Sequence, residues 1–242
     1  LDAPVEIMVQ LRAGRYEVDQ PWRLTGDDSG FGRMTNRLAQ TWPVTWAAYP
    51  GEAVVISGGR RLEGDWQPET VNGRQVWVTP VPDDLAADGG FTQLWVNGER
   101  RSRPRLPKTG VRQVERALEA DYSAHGHQQS AYGFGFKEGE IDAHWHNLQD
   151  VELHFFGWWL DKWVKICDVD EENRVVTFDR DAHLRMTWSP DDGIDYVVEN
   201  VFEALTEPGE WYLDKDAGKL YYMPLPGEDV REVDDKLITI AK

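Results

Sequence analysis

Apolar residues recur at every second position at Val5, Ile7, Val9 and Leu11, the period of a strand whose alternate side chains face opposite sides. The stretch WPVTWAAYPGEAVVISGG, residues 42–59, predicts two further short strands punctuated by Pro50-Gly51 and Gly58-Gly59. Between them lies the polar TGDDSGFGRMTNRLAQT, residues 25–41. It is too long for a hairpin loop and suits a chain crossing between parallel strands, so these strands are expected to stack as rungs.

From Arg60 the pattern changes to antiparallel pairs. NGRQVWVTPVP and FTQLWVNGERR both carry Asn-Gly, at 72–73 and 97–98, the strongest short hairpin signal. VELHFFGWW, KWVKICDVD and RVVTFDR continue the theme, with DEEN at 170–173 as a turn. In GEWYLDKDAGKLYYMPLPGED, residues 209–229, Asp214, Asp216 and Gly218 separate Trp211–Leu213 from Leu220–Tyr222, and Pro224 and Pro226 stop the second strand. Two stretches depart from the pattern. Val111, Val114 and Leu118 have helical spacing and predict a helix over Val111 to Ala120, and ENVFEAL at 199–205 predicts one or two turns capped by Glu199 or Asn200. The chain therefore reads as an opening unit at 1–59, an inserted sandwich-like domain at 60–228, and a return at 229–242, where Leu237 and Ile238 begin a new alternating strand. Its ends, which open and close inside strand patterns, read as those of a segment from a longer protein.

Composition narrows the function classes. Forty per cent hydrophobic residues with 12 tryptophans exclude a disordered chain, and no run of about 18 apolar residues supports a membrane-spanning helix. A formal net charge of -17 repels nucleic acid and anionic lipid surfaces; neither is expected as a partner. The single cysteine, Cys167, rules out an intrachain disulfide framework, and its apolar neighbours predict a thiol packed in a strand. No G-x-S-x-G, Walker A or dinucleotide glycine fingerprint occurs, and no cofactor is expected.

Taken in order, LRAGRYEV, YPGEAVVISGG, LWVNGERR, DVELHFFGWW and VENVFEALTEPGEWYLDKDAGKLYYMP resemble the N-terminal part of right-handed parallel β-helix carbohydrate-active proteins, with glycoside hydrolase families 120 and 141 as the nearest look-alikes. The resemblance implies an all-β fold: the start of a right-handed parallel β-helix interrupted by an inserted antiparallel β-sandwich domain, which the GEWY hairpin closes. It implies a glycoside hydrolase of plant or algal polysaccharide or oligosaccharide, extracellular or periplasmic, with its catalytic carboxylates on later coils. No catalytic residue is therefore expected within this chain. Expected partners are carbohydrate, the downstream coils, and a second copy through exposed β-helix edges. A non-catalytic carbohydrate-binding or structural module and part of a β-helix polysaccharide lyase are the alternatives, because a fold does not fix its chemistry; the acidic net charge weighs against the lyase.

Substrate contacts are expected at Trp158, Trp159 and Trp163, whose faces suit a sugar ring. Strand alternation predicts that one of Trp158 and Trp159 points outward and the other into the core. RRSRPR, with Arg100, Arg101, Arg103 and Arg105, is a basic cluster in an acidic chain. Arg100, Arg103 and Arg105 are candidates for a cleft wall or for contact with the downstream coils, against simple pairing with nearby carboxylates. Close acidic groups such as Glu138, Glu140 and Asp142, or Asp150 and Glu152, read as solvated charge. The HGH pair, His125 and His127, and the HWH pair, His144 and His146, have a spacing that would place each pair on one strand face, but no metal is assigned to them. His154 reads as a packed strand residue.

Overall fold

The computed structural model describes residues 6–18, 20–25, 28, 44–87, 90–118, 131–189, 192–229 and 239–241. Val5, Ala120, His125, His127, Leu237 and Ile238, named above, lie outside them. The chain divides into two compact units, one of Leu1–Leu62 with Thr239–Ala241 and the other chiefly Glu63–Ile238.

The first unit contains β1 (Ile7–Leu11), β2 (Gly14–Glu17), β3 (Val44–Ala48), β4 (Val54–Ser57) and β5 (Arg60–Arg61). β1 pairs with β3 in parallel, Ile7 opposite Val44, and β2 with β4 in parallel, Gly14 opposite Val54. The long polar crossing thus gives the pairing its length suggested. The corner between β1 and β2 is tied to the one between β3 and β4: the Glu52 carboxylate accepts from Arg12 Nε at 2.9 Å and from the Ala13 amide at 2.5 Å, and the Arg12 guanidinium lies 4.8 Å over the Tyr49 ring. Ile7, Met8, Trp46, Val55 and Ile56 remain exposed on these strands.

The second unit opens with β6 (Gln67–Val71), β7 (Arg74–Pro80), a short helix α1 (Asp83–Ala87), β8 (Gln93–Val96) and β9 (Glu99–Arg101). Both Asn-Gly pairs form the expected two-residue hairpin turns, with φ of 50° and 72° at Asn72 and Gly73 and of 54° and 79° at Asn97 and Gly98. The sequence pattern gave no sign of α1. There follow β10 (Arg105–Leu106), β11 (Arg112–Gln113), β12 (Arg116–Ala117), β13 (Gly133–Gly135), β14 (Glu152–Phe156), β15 (Asp161–Asp170), β16 (Val175–Phe178), β17 (Thr187–Ser189), β18 (Asp192–Gly193) and β19 (Asp195–Glu199). The closing hairpin is β20 (Trp211–Asp214) with β21 (Lys219–Tyr222), as its turn residues predict.

Among these strands an antiparallel path runs β10-β19-β14-β15-β16-β13-β12, with β11 also on β19. β15 serves both halves of it: Asp161–Lys165 pair with β14, and Ile166–Asp170 pair with β16, with a shift of register between Ile166 and Asp168. A bulge of this kind bends a strand, and it lets the path fold over one core. There Phe134 meets Tyr196 at 4.9 Å, Phe155 at 5.7 Å and Phe178 at 6.0 Å between ring centroids. Cys167 sits at this bulge and is exposed, so the expected packed thiol points outward instead. Close approach on β13 excludes a side chain at Gly133, where a Cβ would lie 2.4 Å from the Val176 carbonyl oxygen. A second antiparallel sheet, β20-β21-β7-β6, buries Val76, Val78, Tyr212 and Tyr221.

The helix expected from Val111 is absent over the described residues. Val114 donates its amide to Ile194 O and Glu115 to Gly135 O, each at 3.0 Å, so the same backbone carries β11 onto β19 and β12 onto β13. Sheet edges that need partners outweigh a weak helical spacing. At 199–205 only a 3-10 turn forms, Phe202–Ala204, with Val201 at its start and no side-chain cap. Asn200 adopts φ 62°, and its side-chain Nδ2 donates to Asp150 O at 3.0 Å.

The last strand, β22 (Thr239–Ala241), pairs with β5, Thr239 opposite Arg61, and the pairing is antiparallel. Over the described residues the fold is all-β, with antiparallel sheets and two parallel strand pairs. No repeating coil sheet forms among the described residues, because each parallel layer there holds two strands and a solenoid is built by repetition.

Candidate functional site

RRSRPR is held in place by the closing hairpin. The Ser102 amide donates to Gly209 O at 3.2 Å, and Ser102 O accepts from the Trp211 amide at 3.0 Å. The extended segment then sends its arginines to different places. Arg101 turns inward: its Nε donates to the Tyr222 hydroxyl at 2.9 Å and its two terminal nitrogens to Glu99 at 3.1 Å and Glu228 at 3.0 Å. Tyr222 in turn donates to Glu228. Burial works against the Arg101 charge, but Tyr222 and Glu228 outweigh it and hold the guanidinium above its ordinary pKa.

Arg103 is half-buried, and one terminal nitrogen donates to both Glu152 at 2.6 Å and Glu199 at 2.9 Å. Those two glutamates stand opposite each other on β14 and β19. Burial again pulls the guanidinium pKa down, and the two carboxylates more than restore it. Arg105 instead holds backbone carbonyls, Pro107 O at 3.1 Å and Gly110 O at 2.6 Å. Arg100 is exposed, and its side chain makes no hydrogen bond or ion pair among the described residues.

Arg100, Arg103 and Arg105 line one cleft of about 700 Å³ together with Trp163, Glu152 and Glu199. Trp163 is a platform with one face already covered: it stacks on His154 at 3.7 Å and 20°. His154 is buried on β14, as expected, with Asp161 at 3.4 Å and Glu199 at 3.6 Å from its ring nitrogens. Four of the six residues singled out in the sequence thus converge. Glu152 and Glu199 enter with them, and His154 backs Trp163, through strand register, which no spacing along the chain discloses.

Trp158 and Trp159 stand elsewhere. Gly157 donates its amide to Leu160 O at 2.8 Å, closing a two-residue apex between β14 and β15 with both tryptophans on it. Both are 77% exposed, so the expected division into one outward and one inward ring does not hold; neither is in the strand. Their rings lie 6.2 Å apart at 83°, and neither lines the cleft.

The HWH pair separates because residues 143–147 form turns instead of a strand. His144 lies 3.2 Å from Asp142 and 3.7 Å from Glu171, all three exposed, while His146 turns to Asp214 at 2.8 Å. Asp150, read from sequence as solvated, is mostly buried and bridges Lys165 at 2.8 Å and Lys215 at 3.0 Å. Burial raises its carboxyl pKa, but the two lysines outweigh that and leave it below the ordinary value. Asp214 is lowered likewise: burial is outweighed by the Ala217 amide, His146 and Asn147. Carboxyls lowered in the fold stabilise it fully above their unfolded pKa of about 4 and lose that contribution as pH falls through the folded value. Urea midpoints should therefore drop between about pH 5 and pH 2, and Asp150→Asn should flatten that drop. An equally steep drop in the variant would remove Asp150 from the account.

The chain is all-β over its described residues, and its second unit carries a cleft lined by arginines and Trp163. A solved structure described as a glycoside hydrolase shares this fold with a TM-score of 0.67 at 22% identity, over 94% of this chain and 37% of that one. Residues 74–225 match the family described as the GH141 insertion domain, and the chain belongs to that family. No curated protein matches it.

Proposed function

We propose that the chain is the N-terminal part of a larger glycoside hydrolase, in which the antiparallel unit is an insertion that shapes a sugar-binding cleft and the chemistry resides on later β-helix coils. The observation that carries this reading is the match to a GH141 insertion domain across the residues that build the cleft. The chain also spans 37% of the length of its structural neighbour, which leaves room for those coils. The parallel pairs β1–β3 and β2–β4, joined corner to corner by Arg12 and Glu52, suit the opening turns of a right-handed β-helix. Their exposed Ile7, Trp46 and Val55 suit a surface that further coils cover, or that draws two isolated copies together. Plant or algal polysaccharide, met outside the cytoplasm, is the substrate class that goes with this assignment.

Glu152 and Glu199 are poorly placed to act as an acid and a base by themselves, since one Arg103 nitrogen bonds both. Glycosidase carboxylates need to face a sugar about 5–10 Å apart. The 242-residue chain should accordingly show no turnover on aryl-glycosides or polysaccharides. Hydrolysis above the buffer rate that disappears on changing a single Asp or Glu of this chain would overturn the proposal.

A further inference from the structure

The arginines of residues 100–105 differ in what they have left to offer. Arg101 is engaged by Tyr222, Glu99 and Glu228, Arg103 by Glu152 and Glu199, and Arg105 by two backbone carbonyls. Arg100 alone of the four keeps its whole guanidinium fork without a partner among the described residues. It lines the cleft of about 700 Å³ and also a second one, of about 280 Å³, that shares Arg100–Arg103 and Arg105. The larger volume falls within the range of small-ligand sites, about 300–1,000 Å³, and has room for a short oligosaccharide.

We infer that this cleft binds a glycan bearing a uronic acid, with the sugar carboxylate on Arg100 and a neighbouring ring on the open face of Trp163. A planar guanidinium takes a carboxylate through two parallel hydrogen bonds. An indole face takes the apolar face of a pyranose, and His154 behind Trp163 fixes that indole in place. The surrounding field gives the selectivity: with a net charge of -17, most of the surface repels an acidic chain. Arg103 with Glu152 and Glu199, and Arg101 with Glu99 and Glu228, each carry one net negative charge, and Arg100 and Arg105 offset both, so the wall is neutral where the surface as a whole is acidic. An acidic glycan is repelled less here than elsewhere, and the unengaged Arg100 gives its carboxylate a partner.

The inference rests on the carbohydrate reading of the cleft, and the test separates the two. The whole chain is titrated calorimetrically with trimers of galacturonate, glucuronate and mannuronate, and with the same trimers after reduction of each carboxylate to an alcohol. At least one acidic trimer should bind about tenfold or more tighter than its reduced form. Arg100→Ala should erase that difference, and Trp163→Ala should weaken both forms. Arg100 is exposed, so its variant should keep the wild-type urea midpoint. Equal binding of acidic and reduced trimers would overturn the uronic acid and leave the sugar cleft standing. An acid preference that survives Arg100→Ala would overturn the role given to Arg100. Absence of binding by every trimer, acidic and neutral, would overturn the inference and the carbohydrate reading together.

Discussion

Arg101→Met should destabilise the antiparallel unit by about 3–5 kcal/mol, the usual cost of removing one member of a buried ion pair. The Arg101 side chain is 6% exposed and that of Glu228 10%, so the substitution leaves a carboxylate out of water without its cation. Tyr222 loses a donor at the same time, and the Glu228 carboxylate keeps hydrogen bonds but no cation. Glu228 also accepts from the Leu225 amide at 3.0 Å, so the loss reaches the stretch after β21. Urea denaturation of the variant gives the number, and Glu228→Gln in the same background should recover part of it by removing the stranded charge. A loss below about 1 kcal/mol would place Arg101 among ordinary surface ion pairs.

Phe134→Ala is expected to cost about 3–5 kcal/mol, as truncation of a buried phenylalanine does. The ring is fully buried and touches Phe155, Phe178 and Tyr196, one aromatic from each of three other strands. Collapse into the cavity is hindered because Phe134 is flanked on its strand by Gly133 and Gly135, which have no side chains to fill it. The comparison is Trp158→Ala at the exposed hairpin apex, expected within about 0.5 kcal/mol of wild type. Similar losses from the two variants would show that Phe134 does not organise this core.

These contrasts indicate what the sequence discloses. Asn72-Gly73, Asn97-Gly98 and the turn before Gly218 carry their conformation locally, since few residues accept a left-handed backbone, and all three hairpins were legible. Parallel pairing near the start was legible for a related reason: a long polar crossing leaves no room for a hairpin. The helix read from Val111, Val114 and Leu118 failed because that backbone is claimed by β19 and β13, partners distant in sequence. Trp158 and Trp159 were misjudged because alternation applies within a strand, and the apex begins just before them. In the cleft, residue types that bind sugars pointed to Trp163 and the arginines. Which arginine stays unengaged depends on where Glu152, Glu199 and Glu228 arrive, and that is settled by tertiary register.

The pairing of β22 with β5 bears on the order of events as the protein is made. Arg60 and Arg61 leave the ribosome early, whereas their partners Thr239 and Ile240 follow only after the entire second unit has been synthesised. Closing so long a loop costs little more than closing a moderate one once it is compact, because the entropy grows only with the logarithm of its length. Until then β5 waits as an open edge, exposed to intermolecular capture. Prompt folding of the insert therefore acts as an internal chaperone for the strands that precede it, and a lesion such as the loss of Phe134 should first appear in the cell as aggregation during synthesis.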